Sequence, residues 1–154
     1  MIQILQYLPK PKSSFLQWHI TERCNLRCKH CYQTSYETPE MPLPKMLSIV
    51  DEYIDLLDAW GINGRIQVTG GEPFVRNDIF NILEKIYENR NKLKFIIMSN
   101  GFYITKDIAK KLKDLNIEAF QISIEGEEQT NDYIRGKGAF KKITEAAKIL
   151  VEEG

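Results

Sequence analysis

The sequence is short of cysteine, of histidine and of net charge, and each shortage narrows what the chain can be. Lys and Arg total 21 and so do Asp and Glu, so no net field draws nucleic acid or an anionic membrane. No apolar run approaches the length of a membrane span, and residues 1–12 lack the basic-then-apolar order of a secretory leader. No segment repeats, and none is of low complexity. With nothing to suggest secretion, the free thiols point to a reducing, cytoplasmic setting. What remains is 154 residues, 43% hydrophobic and 27% charged, enough for one globular domain with a sizeable core.

The few cysteines are gathered together. All three lie in Cys24-Asn25-Leu26-Arg27-Cys28-Lys29-His30-Cys31, at spacings of four and three. Thiolates so closely spaced on one loop suit an iron–sulfur cluster. A four-iron cube normally takes four thiolates, so three leave one iron open for a substrate or cofactor. Other readings exist. The same offsets fall on one helix face, which would make the cysteines ordinary core residues. Against that, Thr21, Glu22 and Arg23 before them and Asn25, Arg27 and Lys29 among them are polar. A disulfide plus one spare thiol fits a secreted protein better. Zinc held by the three thiols and His30 is the stronger rival, although adjacent residues such as His30 and Cys31 point in divergent directions.

Along the chain, Met1–Ser14 reads as an N-terminal arm ahead of a domain spanning 15–154. Alternation predicts a strand at Phe15–Ile20, with Leu16, Trp18 and Ile20 on one face and Gln17 and His19 on the other. The cysteine loop, 21–35, and a proline-rich link precede a helix at about Pro44–Trp60 with Leu47, Val50, Ile54 and Leu57 inward. A second strand, Arg65–Thr69, enters Gly70-Gly71-Glu72-Pro73, and Asn77 or Asp78 can cap the next helix, which runs to about Asn89. A third strand, Leu93–Ser99, ends at Asn100-Gly101 and is followed by a helix capped by Thr105. A fourth strand, Ile117–Ile124, leads through a polar loop, 127–137, to a helix at Ala139–Glu153. That helix should bury Phe140, Ile143, Ala147, Leu150 and Val151.

Four strand–helix units in succession predict an α/β fold with a parallel sheet. In such folds functional residues gather beyond the carboxyl ends of the strands. The unusual segments all fall there: the cysteine loop, Gly70-Gly71-Glu72, Ser99-Asn100, and Ser123 with Glu125. One strand face is polar (Gln17, His19, Gln67, Thr69, Ser99, Gln121, Ser123, Glu125), which predicts a wet lumen able to hold a polar substrate unless these groups satisfy one another.

On these residues the chain resembles the radical S-adenosylmethionine (AdoMet) superfamily. Cys24-x-x-x-Cys28-x-His30-Cys31 is similar to its cluster motif, and Gly70-Gly71-Glu72-Pro73 to its second motif. Ser123-Ile124-Glu125-Gly126 with Asp132-Tyr133-Ile134-Arg135-Gly136 resembles the SPASM-containing enzymes that modify peptides or make peptide-derived cofactors, although those more often carry Asp at the position of Glu125. The resemblance implies the first four units of a partial (β/α)6 barrel, with downstream strands and auxiliary clusters beyond Gly154. It implies a [4Fe-4S] cluster on Cys24, Cys28 and Cys31. It also implies AdoMet held by Gly70, Gly71 and Glu72, with Glu72 accepting from its ammonium. Ser99, Asn100 and Ser123 would meet the ribose, Arg135 the carboxylate, and His30 and Tyr32 the adenine.

The implied reaction is reductive cleavage of AdoMet to a 5′-deoxyadenosyl radical that abstracts a substrate hydrogen. The implied partners are a flavodoxin- or ferredoxin-like electron donor and a peptide or small-molecule substrate, with no nucleic acid and no membrane. A cluster-bearing electron-transfer or binding domain and a structural zinc domain are the competing readings.

Overall fold

The computed structural model describes residues 11–154, so most of the expected N-terminal arm lies outside the described residues. Four strands form one parallel sheet in sequential order: β1 (Ser14–His19), β2 (Gly64–Thr69), β3 (Leu93–Ser99) and β4 (Ala119–Ile122). The register aligns Gln17 with Gln67, Gln67 with Ile96, and Ser99 with Ile122. Helices α1 (Leu43–Trp60), α2 (Ile79–Glu88) and α3 (Lys106–Asp114) connect the strands, and α4 (Glu128–Arg135) and α5 (Ala139–Glu153) follow β4.

One sheet face is covered. Ile66 and Val68 of β2 and Phe95 and Ile97 of β3 join Met46, Val50 and Leu57 of α1 and Ile82, Leu83 and Ile86 of α2 in a single buried cluster. Removing this much apolar surface from water is the main favourable contribution to the fold. Gly61 ends α1 in the left-handed conformation, at φ 67°, and its N–H returns to Asp58 and Leu57. Thr105 caps α3 by accepting from the Ile108 N–H.

Several expectations are corrected. In α1 the buried stripe is Met46, Val50, Tyr53 and Leu57, so it is rotated from the expected one and leaves Leu47 and Ile54 half-buried at its margin. In α5 the buried residues are Ala139, Ile143 and Ala146, while Val151 is 82% exposed. Asp78 stands at the N-cap of α2 without making a cap bond, because Arg76 takes its carboxylate at 2.8 and 2.9 Å. The fourth strand covers only Ala119–Ile122 of the expected 117–124.

The polar loop 127–137 contains α4, a helix that hydrophobic periodicity could not reveal because its only buried side chain is Asn131. Asp132 closes the turn after α4 by accepting from the N–H groups of Gly138 and Phe140, and these bonds hold its carboxyl below its usual range.

The polar strand face is present with one exception. Gln67 donates to Gln121 at 3.3 Å and Gln17 lies 3.4 Å from His19, so part of that face satisfies itself. Ser99 belongs to the other face. It continues the buried series Leu93, Phe95, Ile97, and it is Met98 that faces the cavity.

Candidate active site

Beyond the carboxyl ends of the strands lies a cavity of about 330 Å³, within the size range of small-molecule sites. Its lining includes Cys24, Cys28 and Cys31 on one side and Gly70, Gly71, Ser99 and Asn100 on the other. Ser123, Arg135, His30 and Tyr32 complete the wall. Eleven of the twelve residues singled out in the sequence line it; Glu72 does not. Thr69 and Met98 line it as well. The polar strand face could have signalled Thr69, but nothing in the sequence marked Met98.

The cysteine loop is held to the sheet by backbone bonds that prolong the β1–β2 ladder. Ile20 N–H donates to Thr69 O, Gly71 N–H to Thr21 O at 2.8 Å, and Glu72 N–H to Arg23 O at 2.9 Å. This close approach requires both glycines. A Cβ at Gly70 would lie 2.3 Å from the Thr21 carbonyl oxygen, and one at Gly71 2.3 Å from that of Arg23. Gly70 also has φ 143°, which side chains rarely adopt. At its far end the loop is fastened by Lys29 N–H donating to Ile134 O of α4 at 2.9 Å. Arg76, only 3% exposed, steadies the base by donating to the carbonyls of Ile20 and Met41; the sequence reading missed it.

Glu72 is engaged within the protein. It is completely buried, and its carboxylate accepts from Phe74 N–H at 3.1 Å, Asn100 N–H at 2.7 Å and the Ser99 hydroxyl at 2.9 and 3.1 Å. Burial pushes its carboxyl up, although these bonds oppose the shift. These bonds tie the end of β2 to the end of β3. Ser99 shares that task, since its hydroxyl serves Glu72 and accepts from Gly101 N–H. Asn100 reaches toward the loop: its amide donates to Asn25 at 2.8 Å and lies 3.9 Å from the Cys24 sulfur.

The opposite wall is less completely bonded. Arg135, which was expected to meet a ligand carboxylate, donates to Glu125, and its second terminal nitrogen lies 3.9 Å from the Cys28 sulfur. Its Nε is buried without a partner, as is Nδ2 of Asn131 one turn earlier. The Arg135 bond holds the Glu125 carboxyl below its usual range. His30 has its Nε2 3.3 Å from Glu125, a partner outside the three thiols, which counts against the zinc reading. Tyr32 is 74% exposed, with its hydroxyl 3.4 Å from His19.

All three cysteines are free and half-buried. Burial raises the Cys24 and Cys28 thiols, and Arg135 works against the rise at Cys28. Among the described residues no group of three His, Cys, Asp or Glu side chains is arranged around a single metal ion.

The sequence model described as the Radical SAM superfamily matches residues 18–154. The chain belongs to this superfamily. Fe-coproporphyrin III synthase of Methanosarcina barkeri is 33% identical over 154 residues, covering 98% of this chain. Mycofactocin maturase MftC of Mycolicibacterium smegmatis is 32% identical over 142 residues, covering 90%. The chain spans 37% and 34% of those two relatives' lengths. Among solved structures, native anSMEcpe with bound AdoMet and Kp18Cys peptide superposes with a TM-score of 0.76. The match covers 93% of this chain and 41% of that one at 23% identity, a likeness of fold.

Superfamily members use a [4Fe-4S] cluster and AdoMet. The site fits both. Three free thiols line the cavity, and the Arg135 guanidinium lines it beside the Cys28 sulfur, where it can donate to an anionic group. Among the described residues no helix is long and apolar enough to cross a membrane.

Proposed function

We propose that the protein is a radical AdoMet enzyme that abstracts hydrogen from a peptide substrate. The observation that carries the reading is the meeting of all three thiols with the Gly70–Gly71, Asn100, Ser123 and Arg135 groups around one cavity. Cys24, Cys28 and Cys31 would hold the cluster. The backbone of Gly70 and Gly71, the Asn100 amide, the Ser123 hydroxyl and the Arg135 guanidinium would hold AdoMet, with His30 and Tyr32 at its adenine end. Bound there, the cluster and AdoMet would supply radical hydrogen-abstraction chemistry, started by one electron from outside. The protein's own part is positioning. Glu72 and Ser99 fix the floor, and Arg135 supplies positive charge beside Cys28.

The peptide assignment is supported by the peptide-bound solved structure and the mycofactocin maturase relative. The Fe-coproporphyrin III synthase relative favours a second reading, a tetrapyrrole substrate. The electron would come from a reduced flavodoxin- or ferredoxin-like carrier in the cytoplasm.

The test is anaerobic reconstitution followed by iron analysis and AdoMet binding by equilibrium dialysis. About four irons per chain are expected, and replacing any one of the three cysteines with Ala should remove most of them. Normal iron in all three variants would overturn the cluster assignment. Deuterium passing into 5′-deoxyadenosine from labelled peptides, and not from labelled porphyrins, would decide between the substrates.

A further inference from the structure

The proposed reaction needs one electron from outside, and the structure offers a second approach to the thiols. A separate cavity of about 480 Å³ opens on the side of the cysteine loop turned away from the cofactor cavity. Cys24 lines both cavities, so the loop that carries the thiols forms part of each wall. The outer cavity is also lined by Arg23, Arg27, Asn77, Tyr36 and Tyr103, and by no carboxylate.

Its cations are held in place. Arg27 donates to the carbonyls of Cys24 and Leu26 at 2.8 Å, and its guanidinium lies 3.7 Å from the centre of the Tyr36 ring. Arg23 is half-exposed and pairs with Glu40, whereas no acidic group among the described residues pairs with Arg27. A positively charged, aromatic-lined surface beside the cysteine loop is complementary to a negatively charged protein.

Resting on the function proposed above, we propose that this outer cavity is the docking surface for an acidic one-electron carrier protein. The reduced carrier loses one electron and the cluster gains it, with no bond made or broken.

The test uses the anaerobically reconstituted enzyme without AdoMet. A reduced plant-type ferredoxin is mixed with it, and bleaching of the cluster is followed by stopped-flow absorbance. Arg27→Glu reverses the unopposed charge. Asn77→Glu adds a carboxylate to the same cavity without touching the loop's hydrogen bonds. Each should slow reduction about tenfold at low ionic strength, with the deficit shrinking as salt is raised. Lys94→Glu, at the opposite end of the sheet, changes the net charge as much as Arg27→Glu and should alter the rate less than about twofold. Reduced methyl viologen, a small cation, should reduce every variant at least as fast as the unsubstituted enzyme.

Four results would overturn the proposal: no reduction by ferredoxin, equal ferredoxin rates in all proteins, an equal loss in Lys94→Glu, or a loss that viologen shares. An unsubstituted enzyme without iron would instead show before mixing and would overturn the functional reading itself.

Discussion

The two sides of the cofactor cavity are built on opposite plans. On the β2–β3 side, Glu72 is wholly buried and its carboxylate is met by two backbone N–H groups and a hydroxyl. On the β4–α4 side, Glu125 is partly exposed, Arg135 keeps one nitrogen unpaired, and Asn131 keeps another. The two carboxyls diverge accordingly, that of Glu72 raised by burial and that of Glu125 lowered by Arg135. One side is completed by folding alone, and the other leaves two buried nitrogens without partners. Motif residues that look alike in a sequence therefore fall into two groups: some line the cavity, and some hold what lines it.

The largest effect should come from the completed side. Glu72→Ala leaves two buried N–H groups and the Ser99 hydroxyl without their acceptor, and it opens a void. It should cost roughly 3–5 kcal/mol in stability, measured by urea unfolding. A variant as stable as the unsubstituted protein, with weaker AdoMet binding alone, would return Glu72 to the ligand. Gly71→Ala comes next. Its methyl has no room beside the Arg23 carbonyl, so about 1–3 kcal/mol should be lost and the cysteine loop displaced. Faster amide exchange at Glu72 would report the displacement.

On the open side the effects should be smaller and electrostatic. In the metal-free protein Arg135→Gln removes the cation that opposes the burial-driven rise at Cys28. That thiol should then react more slowly with iodoacetamide near pH 8, as read by mass spectrometry of the Cys28 peptide. An unchanged rate would deny Arg135 any influence on the sulfur. Smallest is Glu125→Gln. The Glu125 carboxyl is lowered in the folded state, so its contribution to stability is present above the ordinary carboxylate range. It is lost as the pH falls through the lowered value. The melting temperatures of the two proteins should differ slightly at neutral pH and converge in acid. A gap that persists in acid would mean that packing, not charge, is what Glu125 supplies.

What was legible in the sequence follows the same division. The strand–helix alternation is carried by short alternating strands and amphipathic helices, so the parallel sheet and the clustering of motifs at its carboxyl ends could be read directly. The cysteine spacing and the paired glycines mark the site because few other residues could stand there. Helix α4 was hidden because it buries an asparagine, so it has no apolar stripe. The internal bonds of Glu72 were not legible because burial is a property of the assembled β2–β3 junction, and Ser99 reaches that junction only by pointing away from the lumen. Arg76 looked like any surface charge, since the carbonyls of Ile20 and Met41 that it binds lie far from it in sequence.

The two fastenings of the cysteine loop also differ in when the growing chain can make them. The bonds from Gly71 to Thr21 and from Glu72 to Arg23 need only the first two strand–helix units. The bond from Lys29 to Ile134 needs two further units to have emerged and packed. During synthesis the loop therefore passes through a stage with its first half anchored and its last cysteine still swinging. Contacts between residues distant in sequence form late, because a long closure must precede them. The helix that latches the loop shut is thus among the last parts of this chain to arrive, which leaves an interval in which the thiols are open to whatever delivers their metal.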